Sequence, residues 1–120
     1  MSYIDGFVVP VPESNLKSYR AMAQKAGKIW REHGALHYVE AIGDDLDVQF
    51  GVSFKKVIKP KPGETILFSF IIFKSRADRD KVNARVMKDP RMNKLIESGA
   101  DMPFDVKRMC YGGFKSLIDM

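Results

Sequence analysis

The sequence predicts an α+β fold of the ferredoxin-like kind, in which the order βαββαβ builds an antiparallel sheet with both helices on one face. Three patterns support this prediction. They are one long amphipathic helix, a short and strongly β-forming segment at residues 65–73, and a capping-box motif that opens a second helix. The 120 residues match the common size of one domain, so we expect a single domain over residues 1–120.

The first strand and the first helix have clear sequence signals. Residues 3–11 are rich in aromatic and β-branched side chains and close at prolines, which predicts a strand. Ser14 is the expected N-cap of a helix that extends to about His33. Gly34 is the expected left-handed stop after it. Apolar residues recur along this helix at steps of three and four, namely Leu16, Tyr19, Ala23, Ala26 and Trp30.

The middle of the chain contains two more strands on either side of an ambiguous stretch. Residues 35–42 predict the second strand, which Gly43 and two aspartates interrupt. Residues 44–63 hold either a short helix or an additional strand around residues 50–57. Two prolines near the end of this stretch indicate a turn, because proline cannot donate to a sheet ladder. Residues 64–73 predict the third strand.

The last third of the chain begins with a helix signal. Ser75 and Asp78 form a capping-box pattern, and the helix that follows is expected to stop near Lys88. A further helical turn is expected over residues 92–98. Residues 106–118 predict the last strand, with Cys110 as a small buried side chain within it. A bulge or bend is expected in that strand at the glycine pair Gly112 and Gly113.

The third strand also predicts self-association, because both of its faces are apolar. Two helices cover only one face of the sheet. Each large apolar side chain that stays exposed on the other face loses the stabilisation of about 1.5–3 kcal/mol that its burial would give. We therefore expect a second copy of the chain to cover the other face and close a dimeric α+β barrel. The alternative is that residues 44–63 fold over that face.

Composition and charge favour a cytoplasmic protein. The single cysteine allows no internal disulfide, and the N-terminus lacks the basic start and apolar run of a signal peptide. The most apolar segment is too short to span a membrane, so no membrane association is expected. The net charge of +5 is interleaved with 15 acidic residues, which makes nucleic acid an unfavoured partner.

Five segments resemble one bacterial family. They are YIDGFVVPVP at residues 3–12, SRADRD at 75–80, DPRM at 89–92, MPFDVKRM at 102–109 and YGGF at 111–114. Together they resemble the YbaA-like family, whose function is unknown, over nearly the whole chain. The resemblance implies a dimeric α+β barrel. Its wider superfamily includes cofactor-free monooxygenases, lactone isomerases and haem enzymes, but a shared fold transfers none of these activities.

The candidate site residues are polar side chains inside the predicted strands. Asp5 in the first strand is expected to face Arg108 in the last, because these strands are neighbours in the ferredoxin-like order. One interpretation is a structural ion pair. The other is a substrate-binding polar patch between helices and sheet that includes Asp5 and Arg108, in which Arg108 holds an anionic substrate. In that patch His37, Glu40 or Tyr111 moves a proton.

No metal or cofactor is expected. His33 and His37 are four residues apart, but the predicted helix stop lies between them, and one cysteine completes no zinc-binding set. No histidine stands in a motif that ties it to a serine or to the cysteine as a nucleophile.

Three functions therefore stay open. The first is an enzyme or binding protein for a small anionic or aromatic metabolite, held between sheet and helices. The second is an RNA-binding module that presents Phe7, Phe68 and Phe70 on the sheet, although the third strand lacks the basic-glycine-aromatic start typical of such modules. The third is a structural dimer with no ligand.

Overall fold

Four strands form one antiparallel sheet in this computed structural model, which describes residues 1–97 and 102–120. The strand order is β2-β3-β1-β4, and the longer helices pack on one face, so the predicted ferredoxin-like α+β fold is confirmed. The elements are β1 (Tyr3–Pro12), α1 (Leu16–Glu32), β2 (His37–Ile42), α2 (Phe54–Ile58), β3 (Glu64–Phe73), α3 (Arg76–Lys88), α4 (Pro90–Glu97) and β4 (Cys110–Lys115).

The centre of the sheet is the pairing of β1 with β3. All ten residues of each strand are in register, from Tyr3 opposite Phe73 to Pro12 opposite Glu64. Strand β4 pairs with β1 only as far as Val8, so beyond it β1 has no strand partner on that side among residues 1–97 and 102–120. Prolines are tolerated at such an edge, which accounts for a strand that contains two of them.

Helix α1 carries the predicted apolar stripe, and its start differs from the prediction. A 3-10 turn, Glu13–Asn15, precedes it, and Asn15 rather than Ser14 occupies the N-cap position. The Asn15 side chain makes no cap hydrogen bond. Its Nδ2 donates instead to the carbonyl oxygen of Pro103 at 3.1 Å. Gly34 has a positive φ of 121°, which agrees with its predicted role as the helix stop.

The remaining helices follow local signals. Ser75 caps α3 as predicted, since its hydroxyl accepts the Asp78 backbone N–H at 3.1 Å. Helix α4 begins earlier than predicted, because the Asp89 carboxylate accepts the Arg91 N–H at 2.9 Å and opens it. Helix α2 matches the short-helix alternative for the ambiguous stretch, and β3 has its predicted bounds. The Phe54 ring of α2 lies 6.1 Å from the Phe68 ring, on the face of the sheet opposite α1, so this stretch covers part of that face, as expected under the alternative to self-association. The predicted second strand begins two residues late, at His37, and Ser98 lies outside the described residues.

The predicted last strand is wrong at both ends, because β4 begins at Cys110 instead of residue 106 and ends at Lys115 instead of residue 118. Residues Val106–Arg108 form a 3-10 turn, because the Asp105 carboxylate accepts the Lys107 N–H at 3.0 Å. Cys110 begins β4 and is exposed, not buried. The predicted bulge is also absent within the paired residues of β4, where the register is continuous. A Cβ on Gly113 would lie 2.5 Å from the Tyr3 hydroxyl oxygen, so this glycine makes room for a tyrosine.

Two apolar clusters form the core between the sheet and the helices. One cluster contains Tyr3, Ile29, Ala35, Ile71, Phe73, Val82, Val86 and Met92. The other contains Val9, Val11, Tyr19, Ala23 and Leu67. On β3 the polar Ser69 lies between Leu67 of one cluster and Ile71 of the other, at the place where the core is interrupted. Within residues 1–97 and 102–120, no helix combines the length and hydrophobicity needed to cross a membrane.

Candidate functional site

A cavity of about 490 Å³ lies at this interruption, between the sheet and the helices. Strands β1 and β3 supply one wall, with Phe7, Val9, Ser69 and Ile71. Helix α1 supplies Trp30 and its neighbours on the apolar stripe. The volume is within the range of small-molecule sites, and a mostly apolar wall with few polar groups is typical of them.

Methionines cover much of the rest of the wall. Five of the seven methionines in the chain line the cavity: Met22, Met87, Met92, Met102 and Met109. They come from α1, α3, α4 and the segment before β4. Methionine side chains are unbranched and adaptable, so this wall can adjust to the shape of an apolar ligand.

One carboxylate faces this apolar space. Glu40 of β2 pairs in register with Ser69 of β3 and points to the helix side of the sheet. Its Oε1 accepts the hydroxyl of Tyr19 at 2.7 Å, and its Oε2 accepts the hydroxyl of Tyr38 at 2.8 Å. Burial, followed by the Glu40 charge, raises the pKa of both tyrosines. Both phenols therefore stay protonated and act as donors to the carboxylate.

The sequence accounts for the position of Tyr38. Alternation along β2 places it on the same face as Glu40. Its ring lies against Gly27 of α1, where a Cβ would be only 2.6 Å from Tyr38 Cδ1. A glycine in a helix interior costs up to about 1 kcal/mol relative to alanine, and here it admits the ring that holds Glu40.

A second polar network holds one residue of the cavity wall, Trp30, in place. Asp5 of β1 is 1% exposed, and its Oδ1 accepts Nη1 of Arg79 at 2.7 Å. Asn83 also hydrogen-bonds Asp5, and its Oδ1 accepts the indole N–H of Trp30 at 3.0 Å. Burial, only partly offset by Arg79, raises the pKa of Asp5. This network orients Trp30, whose ring lines the cavity.

The three residues predicted to move a proton are separated. Glu40 faces the cavity, as described above. Tyr111 is 55% exposed and stacks on Phe7 with 4.8 Å between ring centroids, so it lies behind a wall residue of the cavity. Burial and the charge of Asp5 raise its pKa. His37 pairs in register with Ile72 on the face of the sheet opposite α1, and the structure does not bring it to Glu40.

The predicted pair of Asp5 and Arg108 is wrong. Gly113 is the β4 residue opposite Asp5, because Arg108 lies in the 3-10 turn before the strand. Arg108 binds Glu64 instead, with its two terminal nitrogens 2.8 Å and 2.9 Å from the carboxylate oxygens. This ion pair ties the segment before β4 to the start of β3.

Several residues of the candidate site escaped the sequence prediction. Tyr19 and Trp30 look like ordinary core members of an amphipathic stripe, and nothing in that pattern distinguishes a core residue from a cavity wall. Tyr38 had a usable signal, because it lies two residues before Glu40 and must share its face. Among the described residues, no group of three or more His, Cys, Asp or Glu side chains is arranged to hold a metal ion.

A sequence family and a relative match this chain. The profile of a family described as "Protein of unknown function (DUF1428)" matches residues 2–106. The "Uncharacterized protein YbaA" of Escherichia coli (strain K12) is 44% identical over 119 residues, which cover 99% of this chain and 99% of that protein. These matches extend over almost all of the chain.

Solved structures share the fold at low sequence identity. A putative antibiotic biosynthesis monooxygenase from Nitrosomonas europaea has a TM-score of 0.59 and 10% identity, over 97% of this chain and 90% of that one. A dimeric ferredoxin-like protein from an uncultured marine organism has a TM-score of 0.59 and 10% identity, over 100% of both chains. Likeness at this level of identity shows the fold alone.

Proposed function

The chain belongs to the DUF1428 family of proteins of unknown function, as its resemblance to YbaA-like proteins predicts, and we propose that it binds a small aromatic or apolar metabolite that carries a hydrogen-bond donor. The ligand occupies the cavity between the sheet and the helices. The single observation that carries this proposal is the Glu40 carboxylate, held by two phenols on a mostly apolar wall.

The charge of Glu40 selects the class of ligand. A carboxylate has about four lone-pair positions, and Tyr19 and Tyr38 use one on each oxygen. The remaining positions accept an O–H or N–H from a ligand. An anion placed next to Glu40 in this apolar space is repelled, so of the two classes expected from the sequence the aromatic one fits the inner cavity.

The test compares three ligands of one shape: para-propylphenol, propylbenzene and para-propylbenzoate. Binding is measured by calorimetry and by the fluorescence of Trp30, the only tryptophan in the chain, which lines the cavity. We expect the phenol to bind about tenfold more tightly than propylbenzene, because a hydrogen bond to a charged group contributes about 1.5–3 kcal/mol. We expect the benzoate to bind most weakly.

Glu40→Gln should remove the preference for the phenol and leave propylbenzene binding nearly unchanged. Glu13→Gln is the matched control, because Glu13 is exposed and lines no part of the cavity. Equal affinity of the wild-type protein for the phenol and the benzoate would contradict the proposal. So would a Glu40→Gln variant that still prefers the phenol.

An enzymatic function of this site would also depend on Glu40. Glu40 is the only carboxylate among the described residues that line the cavity, and it is placed to accept a proton from a bound hydroxyl. The Nitrosomonas protein is described as a putative monooxygenase, which makes ligand oxidation a reaction to include in the assay. Mass spectrometry of the bound phenol after incubation in air separates turnover from simple binding.

The proposed assembly is a homodimer in the cytoplasm that pairs through the face of the sheet opposite α1, beside the part that α2 covers. Ile4, Phe70 and Ile72 lie on that face, with the more exposed Phe68 and Phe114 beside them. A contiguous apolar surface of this kind rarely stays open to water. The description of one structural neighbour as dimeric supports a second copy as the partner.

RNA binding is the weaker alternative. It needs aromatic side chains together on the open face, and Phe68 and Phe70 do lie there. Phe7, the third member of the predicted set, lies on the helix side and lines the cavity. We therefore expect any RNA binding to be weak and to disappear at moderate salt, since only dispersed charge supports it.

A further inference from the structure

We infer that the natural ligand is an elongated amphiphile, with an apolar body in the inner cavity, a donor group at Glu40 and a carboxylate outside it at Arg20. This inference rests on the proposed function, because it extends the ligand of the same site. It goes further by naming the order of the chemical groups along that ligand.

The observation behind it is a second cavity that shares its wall with the first. This outer groove measures about 600 Å³ and is lined by Leu16, Tyr19, Arg20, Ala23, Gln24, Tyr38, Glu40, Ile42 and Leu67. Three of these residues, Tyr19, Tyr38 and Glu40, also line the inner cavity. The hydrogen-bonded carboxylate therefore separates two spaces, and one molecule that passes it contacts both.

The chemistry of the outer groove differs from that of the inner cavity. Arg20 and Gln24 are one helical turn apart on the exposed side of α1, and both line the groove. Within residues 1–97 and 102–120, Arg20 forms no ion pair or hydrogen bond to another side chain or to the backbone. Arg79 and Arg108, by contrast, each bind a carboxylate. A free guanidinium beside a groove is suited to bind a ligand carboxylate through two hydrogen bonds.

The charges set the order and number of groups on the ligand. An anion directly at Glu40 is repelled, so a neutral donor must lie there and the anion must lie beyond it, toward Arg20. One guanidinium balances one negative charge, and Glu40 opposes any further charge nearby. A singly charged carboxylate therefore fits this groove better than a doubly charged phosphate. An acyl chain joined through an amide N–H to a carboxylate has this arrangement.

N-octanoylglycine is the probe, because it has an eight-carbon acyl body, an amide N–H and a terminal carboxylate. Its methyl ester keeps the body and the donor but lacks the charge. By calorimetry, we expect the wild-type protein to bind the acid about tenfold more tightly than the ester. Arg20→Gln should abolish that advantage without weakening binding of the ester.

Lys17→Gln is the matched control. Lys17 is exposed on the same helix, carries the same charge and lines neither cavity, so its loss tests the general effect of removing a positive charge. Equal binding of acid and ester by the wild-type protein would overturn the inference. The same holds if Lys17→Gln and Arg20→Gln reduce the advantage equally. In both cases, binding of para-propylphenol through Glu40 would survive. If neither para-propylphenol nor the methyl ester binds to the wild-type protein, the proposed function itself is refuted.

Discussion

The two faces of strand β3 differ in what their neighbours supply. On the helix side, Leu67 and Ile71 are buried, and the polar residues among them have partners. On the side opposite α1, Phe68 is 46% exposed, and its ring contacts Phe54 of the short helix α2 and Phe70 of β3. A face with partnered polar groups around a cavity is equipped to bind a small molecule. A face that is apolar and open is equipped to bind another protein surface.

This difference is invisible in the residues of β3 alone. Both faces are apolar in sequence, with Ser69 as the only polar position between residues 66 and 73. The polar groups that distinguish the helix side come from other elements, namely Asp5 of β1, Glu40 of β2 and Tyr19 of α1. Predicting the candidate site therefore requires the strand register and the positions of the helices, whereas an apolar strand can be predicted from its own composition.

The largest expected effect tests the helix side. Asp5→Ala should destabilise the fold by about 3 kcal/mol, because among the described residues it leaves the mostly buried Arg79 guanidinium with the exposed Asp80 as its one remaining ion-pair partner. Asp47→Ala is the control, since Asp47 pairs with Lys55 at the surface, and its loss should cost less than about 0.5 kcal/mol. Urea unfolding measures both values. Equal costs would mean that the buried network contributes nothing to stability.

The next effect tests the side of the sheet opposite α1. Phe68→Asp should convert a dimer into a monomer across micromolar concentrations, because it places a charge at the centre of the apolar face. The fold should survive, since the side chain is half exposed and the helix-side core is unchanged. Met87→Asp is the control, a substitution at a similarly exposed apolar residue of α3 on the other side of the sheet. Light scattering decides the outcome, and a wild-type monomer would refute the proposed interface.

The fold was predictable because its signals are local. The bounds of β3, the Ser75 cap and the apolar stripe of α1 each depend on a few neighbouring residues. The site was predictable only in part. Glu40 lies between sheet and helices, where it was expected from the sequence, but its partner Tyr19 comes from a different element and from a pattern typical of core residues, and only Tyr38 of the same strand had a usable signal.

Arg108 shows why the rest of the site prediction failed. A β-forming composition over residues 106–118 competes with a turn signal from Asp105, and the turn prevails before the strand begins. That change moves Arg108 out of the sheet, and it then reaches Glu64 rather than Asp5. A shift of four residues in the start of one strand therefore exchanges the partners of two charged side chains.

The smallest expected effect separates two carboxylates by their response to pH. Asp5 lies under the helices, where burial raises its pKa above the ordinary 3.8 despite Arg79 and Asn83, and Asp80 adds to the rise. Asp89 lies where α3 gives way to α4, and hydrogen bonds from Arg91 and then His33 hold its pKa well below 3.8. Arg91 also binds Glu32 of α1.

The two shifts have opposite consequences for stability. A raised carboxyl pKa means that the folded protein holds the proton more tightly than the unfolded chain, so the stabilisation from Asp5 is complete below pH 3.8 and declines as the pH rises through its folded pKa. The lowered pKa of Asp89 gives stabilisation that is complete well above pH 3.8 and declines as the pH falls.

Asp5→Asn and Asp89→Asn should therefore change the free energy of unfolding with opposite pH slopes. Urea unfolding from about pH 3 to about pH 7 in a His33→Gln background, which removes the nearby imidazole, measures both slopes. Parallel slopes would show that Asp5 and Asp89 experience the same environment, and the contrast between the buried network and the helix junction would be lost.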